Sequence, residues 1–122
     1  MGWELSSDRP IYAQLVEQIQ LKVISGEYPA GGKLPSVRDM AAEAAVNPNT
    51  MQRALAQLES EGLLYTQRTS GRFVTEDEGK IMSTKKILAA ELVREFLERM
   101  SRLGYDKGQA LEILSDAEEE EQ

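Results

Sequence analysis

Between Leu34 and Leu55 the chain carries two short amphipathic runs separated by Ala45-Val46-Asn47-Pro48. A residue before proline is pushed out of the α region, so the first run must stop before Asn47. Asn47 is itself a favoured N-cap, and Pro48 suits a first helical position, where its missing N–H has no intrahelical partner. A second helix therefore starts afresh within a few residues of the first. Ser36 caps the first of the pair, with Asp39 three residues on, close to a capping box. Val37, Met40, Ala41 and Ala44 give that helix a buried side; Met51, Ala54, Leu55 and Leu58 do so for the next. Asn49, Thr50, Gln52, Arg53 and Ala56 are left at or near the outer surface. Two short helices, a tight turn, and a second helix that opens on small polar side chains predict a helix-turn-helix unit.

The flanking sequence fits around it. Pro10 opens a helix that runs to about Ser25, with Ile11, Leu15, Ile19 and Val23 repeating every four residues and Gly26 ending it. Ahead of it, Trp3 and Leu5 form either a short strand or a hydrophobic anchor. The link from Glu27 to Pro35 is rich in turn formers. Gly62 ends the third helix. Leu63–Arg68 and Arg72–Thr75 then read as two strands around Thr69-Ser70-Gly71, a hairpin signal. After Glu76-Asp77-Glu78-Gly79 a long helix is predicted from Lys80 to about Leu103, with Gly104 past its end. Asp106 with Gln109 caps a last helix bearing Ala110, Leu111, Ile113 and Leu114. The fold class is mainly α with a small β-hairpin wing. A winged helix-turn-helix domain fills residues 1–75, and a helical dimerisation extension with an acidic tail fills residues 76–122.

Composition narrows the chemistry. The 122 residues include no histidine and no cysteine, so the usual zinc sites, histidine bases and thiol nucleophiles are excluded, and no cofactor is expected. Carboxylates fall mostly on predicted exposed faces and form no catalytic constellation, so the chain reads as a non-enzyme. No apolar run is long enough to cross a bilayer and no signal pattern opens the chain. The match of Met1–Ser6 to a myristoylation pattern, unaccompanied by a polybasic signal, is read as chance. A cytoplasmic protein without a membrane partner is expected. The net charge of −7 argues against nucleic acid only until it is divided. Residues 1–75 are net −1 and residues 76–122 net −6, whereas residues 31–74 hold five basic against four acidic side chains. Charges beyond a Debye length are screened, so the local field decides. Glu118–Glu121 reads as a solvated tail.

Side-chain chemistry at the third helix points to a DNA major groove. Asn and Gln bind adenine bidentately, Arg binds guanine, and Thr reaches phosphate or a thymine methyl, which makes Asn49, Thr50, Gln52 and Arg53 candidate readers. Asn47 caps, next to N–H groups that favour phosphate. Arg38 opposes the dipole at the start of the second helix, so either an external anion or a pair with Asp39 or Glu43 must compensate. Lys33 and Ser36 are further phosphate candidates. Arg68, Thr69, Ser70, Gly71 and Arg72 suit a wing on the backbone or in the minor groove. The apolar band of the long helix (Ile81, Leu88, Leu92, Phe96, Met100 and Leu103) faces either helix one or, preferably, a second subunit, as a dimeric reader of two half-sites needs.

The run Pro10-Ile11-Tyr12, Leu34-Pro35-Ser36-Val37-Arg38, Val46-Asn47-Pro48-Asn49-Thr50, Leu58–Leu63 and Gly71-Arg72-Phe73-Val74 resembles the GntR family of bacterial transcription regulators. The short C-terminal extension is similar to the YtrA subfamily. The resemblance implies a homodimeric operator-binding regulator near genes often encoding ABC transporters. It also implies contacts at Arg38, Asn49, Thr50, Gln52, Arg68 and Gly71. Pro48 departs from the arginine or serine of many members, so that contact is missing here. Residues 76–122 are too short for the large effector domain most members carry. The leading expectation is a homodimeric repressor of a palindromic double-stranded DNA operator, with an unknown small-molecule effector left open. The alternatives are a winged-helix protein–protein adaptor, which would bind no duplex at low salt, and a small-ligand receptor lined near Phe96 and Met100.

Overall fold

The computed structural model describes residues 2–120, with side chains described through residue 117. Its elements run α1 (Ile11–Ile24), α2 (Val37–Ala44), α3 (Pro48–Ser60), β1 (Leu64–Gln67), β2 (Gly71–Val74), α4 (Glu78–Arg102) and α5 (Lys107–Glu120). Three helices followed by an antiparallel two-stranded hairpin make a winged helix-turn-helix. The acidic side chains of Glu118–Glu121 lie outside the described residues.

The chain divides into two compact units, the first running through Lys85 and so past Thr75 into the first turns of α4. In the first unit the predicted stripes meet in one core. Leu15 and Ile19 of α1, Met40 of α2, and Met51, Leu55 and Leu58 of α3 are fully buried, with Leu63 and Val74 closing the wing side. The turn that sets α3 against α2 is made by Ala45, in the left-handed region at φ +57°. There the Ala45 and Val46 N–H groups satisfy the Ala42 and Ala41 carbonyls. The hairpin pairs Leu64 with Val74 and Gln67 with Gly71. Gly71, at φ +114°, occupies a conformation that a side chain strains. The link read from sequence only as turn formers adds a third extended piece. Val74 N–H bonds Gly32 carbonyl, Leu34 N–H bonds Arg72 carbonyl, and Lys33 bridges Phe73.

Trp3 and Leu5 form an anchor rather than a strand. Gln14 bonds both backbone groups of Ser6, at 2.7 and 2.8 Å. Gln18 does the same for Glu4, one helical turn on. One turn further, Lys22 lies beneath the Trp3 ring, 4.8 Å from its centre, and pairs with Glu27 at 2.9 Å.

The second unit, from Lys86, is two helices joined at Gly104 (φ +95°). Tyr105 N–H closes back on the Met100 carbonyl. Asp106 and Gln109 then cap α5 reciprocally, each side chain accepting from the other's backbone N–H at 2.9 Å. Ala110 is the one buried hydrophobic residue beyond Val74 among the described residues. Among those residues no helix is long and apolar enough to cross a membrane.

Candidate nucleic-acid interface

The exposed tip of α3 follows from its cap. Asn47 Oδ1 accepts from the Asn49 N–H at 2.7 Å, and Pro48 holds the first turn. With Met51, Ala54, Leu55 and Leu58 buried, a rotation of about 100° per residue carries Asn49 and Ala56 to the opposite side. Asn49, Gln52 and Arg53 are exposed and Thr50 is half-buried. Thr50 and Asn47 line a hollow of about 490 Å³ with Ser6, Ser7 and Ile11, so the start of the chain borders the α3 tip.

On the wing side, a groove of about 520 Å³ is lined by Lys33, Ser36, Ser70, Gly71 and Arg72. Sequence reasoning named all five separately; the pairing of the 32–34 link with β2 brings them together. Lys33 lies close over Gly71, where an added Cβ would stand 3.0 Å from its Cε. Ser36 caps α2 by accepting from the Asp39 N–H at 3.0 Å. Arg38 follows in the first turn, exposed, and pairs with neither Asp39 nor Glu43; Glu43 instead accepts from Trp3 Nε1. Arg68, Thr69 and Ser70 form the exposed hairpin tip. Arg72 faces inward, its Nε bonding Glu59 Oε1 at 2.5 Å while Thr66 Oγ1 donates to the same oxygen at 2.9 Å. Arg72 thus braces the wing against α3.

The cations of residues 1–75 fall into two groups. Arg9 pairs with Glu17, Lys22 with Glu27 and Arg72 with Glu59. Lys33, Arg38, Arg53 and Arg68 have no carboxylate partner among the described residues. Those four are on or beside α3, the α2 start and the wing. Such an arrangement leaves an attractive local field in a chain of net charge −7.

Two residues absent from the sequence reading of the site belong to it. Glu59 carries the brace. Tyr12 of α1 lies beneath Arg53, whose Cζ is 4.6 Å from the ring centre. In the sequence Tyr12 stands out as an aromatic residue in an otherwise aliphatic stripe and as part of the Pro10-Ile11-Tyr12 motif, with nothing to tie it to Arg53. Ile81, expected in a subunit contact, packs partly buried on the core of the first unit. Leu88, Phe96 and Met100 are half-buried, and Leu92 and Leu103 are exposed.

Comparison with known proteins agrees with this architecture. The profile described as bacterial regulatory proteins, gntR family, matches residues 11–74. The chain is 38% identical to the uncharacterised HTH-type transcriptional regulator YhcF of Bacillus subtilis, across 92% of this chain and 93% of that one. It is also 38% identical to the HTH-type transcriptional repressor YtrA of the same organism, over 67% of this chain and 68% of that one. Among solved structures, a GntR family transcriptional regulator from Listeria monocytogenes superposes with a TM-score of 0.84 at 38% identity, covering 92% of this chain and 98% of that one. The DNA-binding domain of AraR in complex with operator ORX1 matches at a TM-score of 0.53 and 30% identity, covering 62% of this chain and 92% of that one.

Proposed function

Taking as premise that the chain belongs to the gntR family of bacterial regulatory proteins, and so is a DNA-binding transcription regulator, we propose that it is a homodimeric repressor of a palindromic operator. The observation that carries the proposal is the sorting of the cations. Arg9, Lys22 and Arg72 are each neutralised by a carboxylate, whereas Lys33, Arg38, Arg53 and Arg68, on or beside α3, the α2 start and the wing, have no carboxylate partner among the described residues. In this reading Asn49 and Gln52 meet base edges while Lys33, Ser36 and Arg38 hold phosphates, with Asn47 and Thr50 beside the α3 tip. Arg68, Thr69, Ser70 and Gly71 reach the backbone or minor groove beyond. The AraR DNA-binding domain, similar to this chain and solved in complex with an operator, supports operator binding, and the repressor YtrA supports the sign of regulation.

The second copy is inferred from what the second unit leaves uncovered. Leu92 is 65% and Leu103 73% exposed, and only Ala110 is buried there among the described residues. A pair of helices with no core of its own requires another surface. Leu88, Leu92, Phe96, Met100 and Leu103 form that surface on α4. An effector pocket would likewise need the second copy to supply a wall.

The test is selection of bound sites by the full chain from a random duplex pool. Inverted repeats with centres about one helical turn apart, or a multiple of it, are the expected product. Enrichment of single unrepeated sites would overturn the dimeric reading, and failure to enrich any duplex would overturn operator binding.

A further inference from the structure

Arg53 and Tyr12 make a contact that the core does not require. Arg53 Cζ lies 4.6 Å from the centre of the Tyr12 ring. The Tyr12 hydroxyl donates to Gln57 Oε1 at 3.2 Å, and Gln57 Nε2 donates to Glu61 at 2.7 Å. Arg53, Gln57 and Glu61 follow one another at four-residue spacing, so they run along one edge of α3, and Tyr12 ties that edge to α1. The guanidinium is exposed and has no carboxylate partner among the described residues. A cation held over a ring face loses rotamer freedom but keeps its in-plane N–H donors. Such an arginine is a pre-ordered receptor for an oxyanion.

Position selects which oxyanion. Asn49 and Ala56 point directly away from the core, and Gln52 and Glu59 lie on one flank of that line, the flank braced to the wing. Arg53 and Gln57 lie on the other flank, toward α1. A helix seated in a major groove has a phosphate backbone on either side. Resting on the DNA-binding reading above, we propose that Tyr12 is a positioning residue that holds Arg53 against the phosphate backbone on the flank away from the wing. Arg53 is then a clamp that grips every sequence alike, and α3 is held from both sides while Asn49 and Gln52 read.

The test uses the full chain, a duplex enriched from a random pool and its scrambled counterpart, titrated by fluorescence anisotropy at two salt concentrations. Arg53→Ala is expected to weaken binding to both duplexes by the same factor. Its deficit should narrow roughly 3- to 4-fold between about 50 and 200 mM salt, as loss of one phosphate contact requires. Tyr12→Leu should weaken both roughly 2- to 5-fold and have no effect once Arg53 is already alanine, whereas Tyr12→Phe, which keeps the ring, should bind as the unmodified chain does. Arg53→Lys, at an exposed site that leaves the core untouched, should also fall short of the arginine, so the platform is tested even if Tyr12→Leu fails to fold. A loss confined to the enriched duplex would make Arg53 a base reader and overturn the clamp. A Tyr12→Leu penalty undiminished in the Arg53→Ala background, or full affinity in Arg53→Lys, would remove the positioning role. If Arg38→Ala weakens binding and Arg53→Ala does not, the clamp falls and the regulator reading stands. If the unmodified chain enriches no duplex, both fall.

Discussion

At the scale of single residues, the proposed operator binding predicts that Arg38 and Gln52 separate grip from readout. Arg38 stands exposed at the start of α2 with no carboxylate partner among the described residues, so Arg38→Ala should weaken binding to all duplexes and lower the salt slope by about one. Gln52 carries an amide instead of a charge. Gln52→Ala should cost about 1–3 kcal/mol at one base position and relax specificity there. Equal losses on enriched and scrambled DNA would take Gln52 out of the readout. Two other residues set stability. Tyr28 sits at the Trp3–Lys22 cluster, where burial, then the carboxylates of Glu43 and Glu27, push its hydroxyl up to about 12. An unfolded tyrosine ionises near pH 10, so the unfolded chain gives up this proton first. Stability from this group is whole below about pH 10 and is lost as pH rises toward 12. Tyr28→Phe should show a shallower alkaline decline in denaturation midpoint; identical declines would mean the hydroxyl is not shielded. Ala45, at φ +57°, already accepts a strained turn. Ala45→Val should cost roughly 1–2 kcal/mol in urea unfolding, since a branched Cβ crowds the left-handed region, whereas Ala45→Gly should unfold within about 1 kcal/mol of the unmodified chain.

At the scale of elements, the order helix, helix, helix, hairpin, long helix, short helix was legible because each boundary carries its own chemistry. Asn47-Pro48 starts α3, Gly26, Gly62 and Gly104 end three helices with positive φ, and Asp106 with Gln109 caps α5. Contacts between elements distant in sequence were not legible. No motif marks Gln14, Gln18 or Lys22, yet they clasp the backbone of residues 4 and 6 and the Trp3 ring. Nothing in their spacing tells a surface amide from one that pairs with a passing extended segment. The wing brace was hidden for the same reason: Glu59 on α3 selects Arg72 and Thr66 across the hairpin, giving an arginine expected on the DNA face a carboxylate partner within the chain. Arg72 and Glu59 side chains are only 16% and 28% exposed, so the pair is partly screened. Glu59→Ala leaves the Arg72 guanidinium short of a partner and should cost about 1–3 kcal/mol. The loss should show as faster amide exchange in β1 and β2, with α1 unaffected. Uniform acceleration through every helix would mean that Glu59 supports the whole core instead of the wing.

At the scale of the whole molecule, the two units differ in how their apolar residues are satisfied. The first unit encloses its leucines, isoleucines and methionines in a shared core, and it draws Ile81 from α4 into that packing. The second leaves Leu92, Val93, Leu103, Leu111 and Leu114 at least half exposed. Periodicity alone marked the α4 band as buried but could not say against what, because a stripe that packs on its own chain and one that packs on a copy look the same in sequence. If a second copy covers it, folding and assembly are linked, and the melting temperature should rise with protein concentration. Leu92→Glu places a charge in the middle of the Leu88–Leu103 stripe and, being exposed in the single chain, should not disturb the first unit. The variant should sediment as a monomer, melt independently of concentration, and keep the helical content of the winged domain. A dimer engages two half-sites with one recognition helix each, whereas the monomer forfeits the second, effectively intramolecular, event. Affinity for an inverted repeat should therefore fall by about 10²- to 10⁴-fold, with affinity for an isolated half-site unchanged. A Leu92→Glu protein that keeps both its mass and its preference for inverted repeats would mean that the copies meet through another surface, and the uncovered face of α4 would then belong to a different partner.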